Sequence, residues 1–212
     1  MRISLAITVF NEEANIRRLF ASILEQTRIP DEVTVCDGGS TDNTVAIMSE
    51  YSDQIPLTIL IRPGVNISVG RNVAIRESSG DIIAVTDAGV RLGTNWIELI
   101  TACFKQQNTC HAAGFFCADA YTTFETAMGA TVLPALKDIR PQTFLPSSRS
   151  VAFRKEAWEK VGGYPEWLDY SEDVVFDLKM IKCFGQFTFF PHALVQFQPR
   201  ITMQQFSRQY YN

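Results

Sequence analysis

The first ninety residues alternate between short apolar runs and segments with helical periodicity, and this alternation restricts the fold more than any other feature. Four apolar runs rich in β-branched residues are predicted strands: residues 3–10, 32–36, 57–61 and 81–87. The first intervening segment carries an apolar face at helical spacing, made of Ile16, Leu19, Phe20, Ile23 and Leu24. Strands that alternate with helices form βαβ units, which build a parallel sheet with helices on both faces. We therefore predict a doubly wound α/β fold.

The second half of the chain is less regular. Helical patterns are predicted for residues 96–104, 155–161 and 172–183, and β-like runs for residues 112–117, 150–153, 187–190 and 193–197. Residues 121–148 contain three prolines and predict either a mobile functional segment or a pair of helices with weak patterns. Since no linker or repeat interrupts the chain, we predict a single domain over residues 1–212, with halves at 1–92 and 93–212.

Composition excludes several classes of protein. The chain has 212 residues, of which 46% are hydrophobic, and 19 basic and 23 acidic residues give a formal net charge of −4. This mildly acidic balance argues against nucleic acid as a partner, because binding to phosphate backbones requires a basic surface. No apolar run approaches the roughly 18 residues of a transmembrane helix, and the N-terminal run is too short for a signal peptide. We therefore expect a cytoplasmic protein.

The five cysteines do not suggest disulfides, since their number is odd and no Cys-x-x-Cys is present. Cys103, Cys110 and Cys117 are evenly spaced, and His111 is adjacent to the second of them. This spacing is not that of a zinc ligand set, so we interpret these cysteines as small core residues.

Polar and small residues follow three of the predicted strands. These segments are Phe10-Asn11-Glu12, Asp37-Gly38-Gly39 and Asp87-Ala88-Gly89. In an open parallel sheet, ligands bind at the carboxyl ends of the strands. The chain contains neither a glycine-rich phosphate loop nor a Gly-x-Ser-x-Gly nucleophile motif. What remains is a nucleotide pocket of carboxylates, an aromatic ring and a basic residue, with a divalent cation to offset phosphate charge.

Five segments together resemble a known family. They are residues 7–13, 37–42, 70–72, 80–89 and 172–173. Each segment alone is a weak signal, but in this order and spacing they resemble a family 2 glycosyltransferase of the GT-A fold, in its exopolysaccharide (succinoglycan-type) branch. The resemblance implies a substrate-binding set of Thr8, Phe10, Asn11, Glu12, Asp37, Gly39, Arg71, Asn72, Asp87, Ala88, Gly89, Gln205 and Arg208.

The resemblance gives two of these residues a role in recognising the nucleobase. Phe10 would stack on the base, and its alternative is packing in the core. Asp37 would accept a ring N–H, which suits uracil and favours a UDP-sugar donor. Its alternative is to cap a turn, and a carboxylate has enough acceptor capacity for both roles.

The diphosphate would lie near Arg71 and Asp87. The resemblance places the Arg71 guanidinium against the phosphates, while the alternative is a solvated charge on a helix. Asp87 would hold Mg²⁺ or Mn²⁺. Here the chain departs from the family pattern, because Gly89 stands where the Asp-x-Asp motif has its second carboxylate. Cation binding would then depend on the phosphates of the donor.

The catalytic base implied by the resemblance is Asp173, with Glu172 shaping the site beside it. Their alternative is to be ordinary acids at the start of a helix, where the helix dipole stabilises them. His192 is interpreted as a surface residue. Near the end of the chain, Gln205 and Arg208 resemble a Gln-x-x-Arg-Trp element in which Gln209 replaces the Trp.

The predicted function is an inverting transfer of a sugar from a nucleotide-diphospho-sugar to a hydroxyl group of a glycan or lipid-linked acceptor. Such a reaction serves polysaccharide or glycolipid synthesis, and it leaves open a peripheral association with the inner face of the membrane. The missing carboxylate at position 89 leaves open an alternative, a nucleotide-sugar-binding protein without catalysis. A nucleotidyltransferase is disfavoured, because Asn11-Glu12-Glu13 is not the basic, glycine-rich loop that this chemistry requires.

Overall fold

The computed structural model describes residues 1–199 and 202–204, and within them eight strands form one mixed sheet. The order across the sheet is β3-β2-β1-β4-β7-β6-β8-β5. The strands are β1 (Ile3–Val9), β2 (Glu32–Asp37), β3 (Leu57–Ile61), β4 (Ile82–Asp87), β5 (Val90–Leu92), β6 (His111–Ala118), β7 (Val151–Arg154) and β8 (Thr188–Phe197).

Helices cover both faces of this sheet. The described part of the chain contains α1 (Ile16–Leu24), α2 (Thr44–Ser49), α3 (Ile67–Glu77), α4 (Trp96–Thr101), α5 (Thr123–Val132), α6 (Lys155–Val161) and α7 (Glu172–Phe184). Two short 3₁₀ helices span Ala102–Lys105 and Leu136–Asp138. Apolar side chains of α1, α2 and α4 pack in one core cluster, and those of α3, α6 and α7 pack in a second one. The predicted α/β fold is therefore confirmed.

Strands β3, β2, β1 and β4 are parallel, so their carboxyl ends meet at one edge of the sheet. In this register Val9 pairs with Asp37, and Thr8 pairs with Asp87. The predicted site segments after β1, β2 and β4 are consequently neighbours. Beyond β4 the pairing becomes mixed, because β7 is antiparallel to both β4 and β6, whereas β8 is parallel to β6.

Strand β1 shows why its apolar run is nearly continuous. Leu5 and Ile7 pack in the core cluster on one face, and Ala6 packs in the cluster on the other. A central parallel strand is buried on both faces, so most of its side chains are apolar, and the exceptions Ser4 and Thr8 share the face of Ala6.

Several boundaries differ from the predictions. The first helix begins at Ile16 rather than after Asn11, which has a left-handed φ of 52°. The region 121–148, predicted as irregular or as a helix pair, contains α5. Its start is fixed by a capping box in which Thr122 and Glu125 satisfy each other's backbone N–H groups. The runs at 187–190 and 193–197 belong to one strand, β8.

All five cysteines are free thiols. His111 lies buried in β6, where its Nε2 is 3.0 Å from the Gly185 carbonyl oxygen. Within residues 1–199 and 202–204, no three His, Cys, Asp or Glu side chains are grouped as metal ligands. None of the helices described here combines the length and the apolar character that crossing a bilayer would require.

Candidate active site

A cleft opens at the carboxyl ends of β1, β2 and β4, where the predicted site segments meet. It consists of two adjoining hollows of about 400 Å³ and about 410 Å³, which share Glu12, Asp87 and Gly89. Six of the predicted substrate-binding residues line the first hollow: Thr8, Phe10, Glu12, Asp87, Ala88 and Gly89. The cleft is therefore built from the loops that the sequence patterns indicated.

Phe10 offers an open aromatic surface to this cleft. Its side chain is 60% exposed although it follows a buried strand, and a Cβ placed on Gly38 would lie 3.5 Å from Phe10 Cδ2. The ring thus lies beside the Gly38 backbone with most of its surface free. Core packing, the alternative role for Phe10, is excluded by this exposure.

Asp37 organises the turn after β2. The buried carboxylate accepts hydrogen bonds from the backbone N–H groups of Gly39 and Ser40, both at 2.9 Å, and from the Ser40 hydroxyl at 2.5 Å. Gly39 has a φ of 94°, and a Cβ on it would lie 2.8 Å from Pro63 Cα, so only glycine fits there. The capping role of Asp37 is present in the structure, and its contact with a nucleobase stays a prediction.

The loop after β1 is fastened to the loop after β2. The Asn11 N–H donates to the Ser40 hydroxyl at 2.8 Å, and the Asn11 side-chain oxygen accepts from the Thr41 N–H at 2.9 Å. The Glu12 N–H donates to the Thr44 hydroxyl at 2.8 Å. Asn11 therefore holds the two loops together, while the neighbouring Glu12 lines the cleft.

Arg71 connects the cleft to α7. It lies on α3, is only 3% exposed, and donates to Asp87 Oδ1 at 2.7 Å and to Glu172 Oε1. Burial alone would lower the pKa of Arg71, but the negative charges of Asp87 and Glu172 raise it. Arg71 is thus a permanent buried cation, and the alternative of a solvated helix charge is excluded.

Asp87 is contacted by two guanidinium groups. Besides Arg71, Arg149 places its Nε 3.5 Å from Asp87 Oδ2. Burial alone would raise the pKa of Asp87, but the charges of Arg71 and then Arg149 hold it below its usual value. Asp87 is therefore ionised at neutral pH, as a metal ligand must be. Arg149 was not among the predicted residues, because it precedes a strand in a segment without a recognisable motif.

Asp173 and Asp177 lie one turn apart on α7. Asp173 is half-buried, and its Oδ1 accepts only the N–H of the next residue, Val174, among the residues described. Asp177 is 1% exposed, and its Oδ2 has no hydrogen-bond partner within the described chain. Burial, followed by the charge of Asp173, raises the pKa of Asp177 to about 9. The i, i+4 spacing from Asp173 is a local sequence signal that places Asp177 on the same face of α7.

Asn72 does not reach the cleft. Its side-chain amide donates to the Tyr164 carbonyl at 2.9 Å and to Glu166 Oε1 at 3.0 Å. Its oxygen accepts from the Tyr164 N–H and the Trp158 indole. All four hydrogen-bonding positions of this amide are occupied by protein, so Asn72 fixes the segment before α7 instead of facing a substrate. His192 is exposed, as predicted, and Gln205 and Arg208 lie outside the described residues.

The residues around Asp87 fit a divalent cation only in part. Carboxylate oxygens are suitable ligands for Mg²⁺ or Mn²⁺, and Asp87 and Glu12 both line the shared part of the two hollows. Two carboxylates are too few for a complete coordination shell, so phosphate oxygens and water would have to supply the rest. These carboxylate ligands therefore fit a cation that is bound together with a diphosphate.

Solved structures share this fold. The structure of S. aureus TarS 1–349 in complex with UDP-GlcNAc matches with a TM-score of 0.76 and 19% identity, over 98% of this chain and 61% of that one. The mannosyltransferase PcManGT from Pyrobaculum calidifontis, in complex with GDP-Man and Mn²⁺, also gives 0.76 at 19% identity, over 97% and 59%. The chain therefore has the GT-A fold.

The family follows from sequence comparison. Residues 4–156 match the model of the family described as Glycosyl transferase family 2. This match covers most of the chain, which therefore belongs to glycosyltransferase family 2, as the resemblance predicted.

Curated relatives are longer than this chain. The O-antigen chain rhamnosyltransferase WbaN of Salmonella anatum is 26% identical over 206 residues, which are 91% of this chain and 64% of the relative. Validoxylamine A glucosyltransferase of Streptomyces hygroscopicus subsp. limoneus is 29% identical over 104 residues, or 47% and 23% of the two chains. The chain thus spans less than two thirds of the length of these relatives.

Proposed function

We propose that the protein is an inverting glycosyltransferase that moves one sugar from a nucleotide-diphospho-sugar to a hydroxyl group. One observation carries the proposal: Arg71 joins Asp87, at the floor of the cleft, to Glu172, which precedes the base candidate Asp173. An ionised carboxylate and a fixed cation are thereby held together at the carboxyl edge of the sheet, and Glu172 ties the start of α7 to them.

In the proposed reaction, the Asp173 carboxylate takes the proton of the acceptor hydroxyl. The acceptor oxygen forms a bond to the anomeric carbon from the face opposite the diphosphate. The bond from that carbon to the phosphate oxygen breaks, and its electron pair leaves with the nucleoside diphosphate. Inversion follows from the single displacement, and the balance of charge requires a cationic environment for the leaving group.

That environment is proposed to come from Arg71, Arg149 and a divalent cation. The two guanidinium groups already flank Asp87, so their charge is present before a donor binds. A bound Mg²⁺ or Mn²⁺ held by Asp87 would add neutralising charge at the diphosphate. The structural neighbour PcManGT is described in complex with GDP-Man and Mn²⁺, which supports the proposed cation.

A UDP-sugar is the favoured donor. The exposed Phe10 ring can stack on a base, and the Asp37 carboxylate, which closes the adjacent turn, has acceptor capacity left for a ring N–H. TarS, which shares the fold, is described in complex with UDP and with UDP-GlcNAc. We assign donor binding to residues 1–92 and the acceptor side to residues 93–212.

The acceptor is proposed to be a growing glycan or a lipid-linked glycan. The relatives named O-antigen chain rhamnosyltransferase and chondroitin synthase act in the building of such chains according to their names. With this acceptor class we propose a cytoplasmic protein that associates peripherally with the inner face of a membrane and has no nucleic acid partner.

The second candidate is a nucleotide-sugar-binding protein without catalysis, which the glycine at position 89 favours. The variant Asp173→Asn tests the catalytic candidate. Asp53→Asn is the control, because Asp53 is exposed on a turn after α2. We expect Asp173→Asn to keep its affinity for UDP but to lower sugar turnover by at least about 10²-fold, the usual contribution of a general base. Unchanged turnover would remove Asp173 from this role. Donor binding with no turnover in the unaltered protein would favour the binding protein.

A further inference from the structure

We propose that Glu12 supplies the second carboxylate of the cation site, in place of the acid that is missing at position 89. The inference rests on the proposed function, because it assigns a residue to the cation that would accompany the donor diphosphate. It also gives a physical reason why Gly89 is compatible with a working site.

The geometry at Gly89 is the first argument. A Cβ built on Gly89 would lie 3.7 Å from Glu12 Oε1 and 3.8 Å from Oε2. The Glu12 carboxylate therefore lies in the space toward which a side chain at position 89 would extend. An aspartate at position 89 would bring its own carboxylate to the same place, so Glu12 and Gly89 are spatial alternatives to the family's second acid.

Glu12 is also held in position through its backbone and its side chain. The backbone N–H donates to the Thr44 hydroxyl at 2.8 Å, and the backbone carbonyl accepts from the N–H groups of Asn15 and Ile16 at 2.9 Å. The Asn15 side-chain amide donates to Glu12 Oε2 at 2.9 Å. Among the described residues, none donates a hydrogen bond to Oε1. One carboxylate oxygen is thus anchored, while the other is available to a ligand in the cleft.

Glu12 also lies in the same part of the cleft as Asp87. Glu12, Asp87 and Gly89 are the residues that line both hollows, so both acidic residues lie where the hollows join. Oxygen ligands of this kind suit Mg²⁺ and Mn²⁺.

The two arginines beside Asp87 affect whether the divalent cation binds without a donor. Arg71 and Arg149 both contact the Asp87 carboxylate and would repel a divalent cation in the absence of a donor. The negative charge of a diphosphate offsets this repulsion. We therefore expect the two carboxylates to bind the cation together with the nucleotide and only weakly without it.

The experiment compares four forms of the whole chain: unaltered, Glu12→Gln, Gly89→Asp with Glu12→Gln, and Glu13→Gln as a control. Glu13 is the exposed neighbour, whose carboxylate accepts from Asn43. Free Mn²⁺ is measured by electron paramagnetic resonance in titrations with and without saturating UDP. Calorimetry with UDP in the absence of metal shows for each form whether the nucleotide site is intact.

With UDP present, Glu12→Gln should weaken Mn²⁺ binding by at least about tenfold, the lower end of the loss seen when metal-site partners are removed. The double variant should recover most of that loss, and Glu13→Gln should bind Mn²⁺ as the unaltered chain does. Without UDP, all four forms should bind Mn²⁺ weakly.

Equal Mn²⁺ affinity in Glu12→Gln and the unaltered chain, with UDP still bound, would overturn the inference and leave the proposed function standing. A loss in Glu12→Gln that the aspartate at position 89 does not recover would show that the two positions are not alternatives, which also overturns it. If the unaltered chain binds no UDP under either condition, the proposed function fails first.

Discussion

Replacement of Arg71 by Met tests how the site is held together. The substitution keeps an apolar stem like that of arginine and removes the charged guanidinium group. It leaves the Glu172 side chain, which is 8% exposed, without a counter-charge, whereas Asp87, at 23%, keeps Arg149. Loss of one partner of a buried ion pair costs about 3–5 kcal/mol, because the remaining charge stays desolvated. Since domains of this size are stable by about 5–15 kcal/mol, Arg71→Met should remove a large part of the free energy of unfolding.

Urea unfolding measures this loss, with the fluorescence of the buried Trp96 and Trp158 as the signal. Two further variants isolate the cause. Addition of Glu172→Gln to Arg71→Met removes the unpaired charge and should restore at least half of the lost stability. Arg17→Met breaks a pair with Glu50 whose side chains are 55% and 53% exposed, so it should cost far less. A loss for Arg71→Met no larger than that for Arg17→Met, at an unchanged urea dependence, would show that the buried pair with Glu172 does not stabilise the fold.

Two other substitutions test the ring and the buried acid. Phe10→Ala should weaken UDP binding by about 1–3 kcal/mol, or roughly 5- to 150-fold in Kd, because stacking is lost, and calorimetry would show an unchanged Kd if the base lies elsewhere. Asp177 has a pKa raised to about 9, so its protonated form stabilises the fold fully below about pH 4, and this contribution is lost as pH rises toward 9. Asp177→Asn should therefore remove a decline in stability of up to about 1.4 kcal/mol per pH unit, measured by urea unfolding at several pH values, and an identical pH dependence in both proteins would contradict the assignment.

The first half of the fold was predictable because its signals are local. Apolar runs and the helical face at Ile16 and Leu19 depend only on spacing along the chain, and four parallel strands follow from their alternation. The capping box at Thr122 and Glu125 was equally local, and it could have revealed α5, which ends before the first proline of this region. Strand β5 has three residues, Val90–Leu92, which is too short for a periodic pattern to form.

Sequence patterns predicted several residues that line the cleft, but not the contacts that these residues make. Phe10, Glu12 and Asp87 line the cleft because strand ends of a parallel sheet converge. The burial of Arg71 between Asp87 and Glu172, by contrast, joins residues 101 positions apart, and no local pattern encodes that contact. The proximity of Glu12 to Gly89 likewise exists only after two loops have been brought together.

A crystal structure of the protein with UDP and Mn²⁺ would show directly whether the donor binds at the carboxyl edge of the sheet. We expect the uracil ring against Phe10, with the diphosphate between Asp87 and the loop at Gly89. Well-ordered nucleotide bound away from this edge of the sheet, or an empty cleft in crystals grown at saturating UDP, would contradict it.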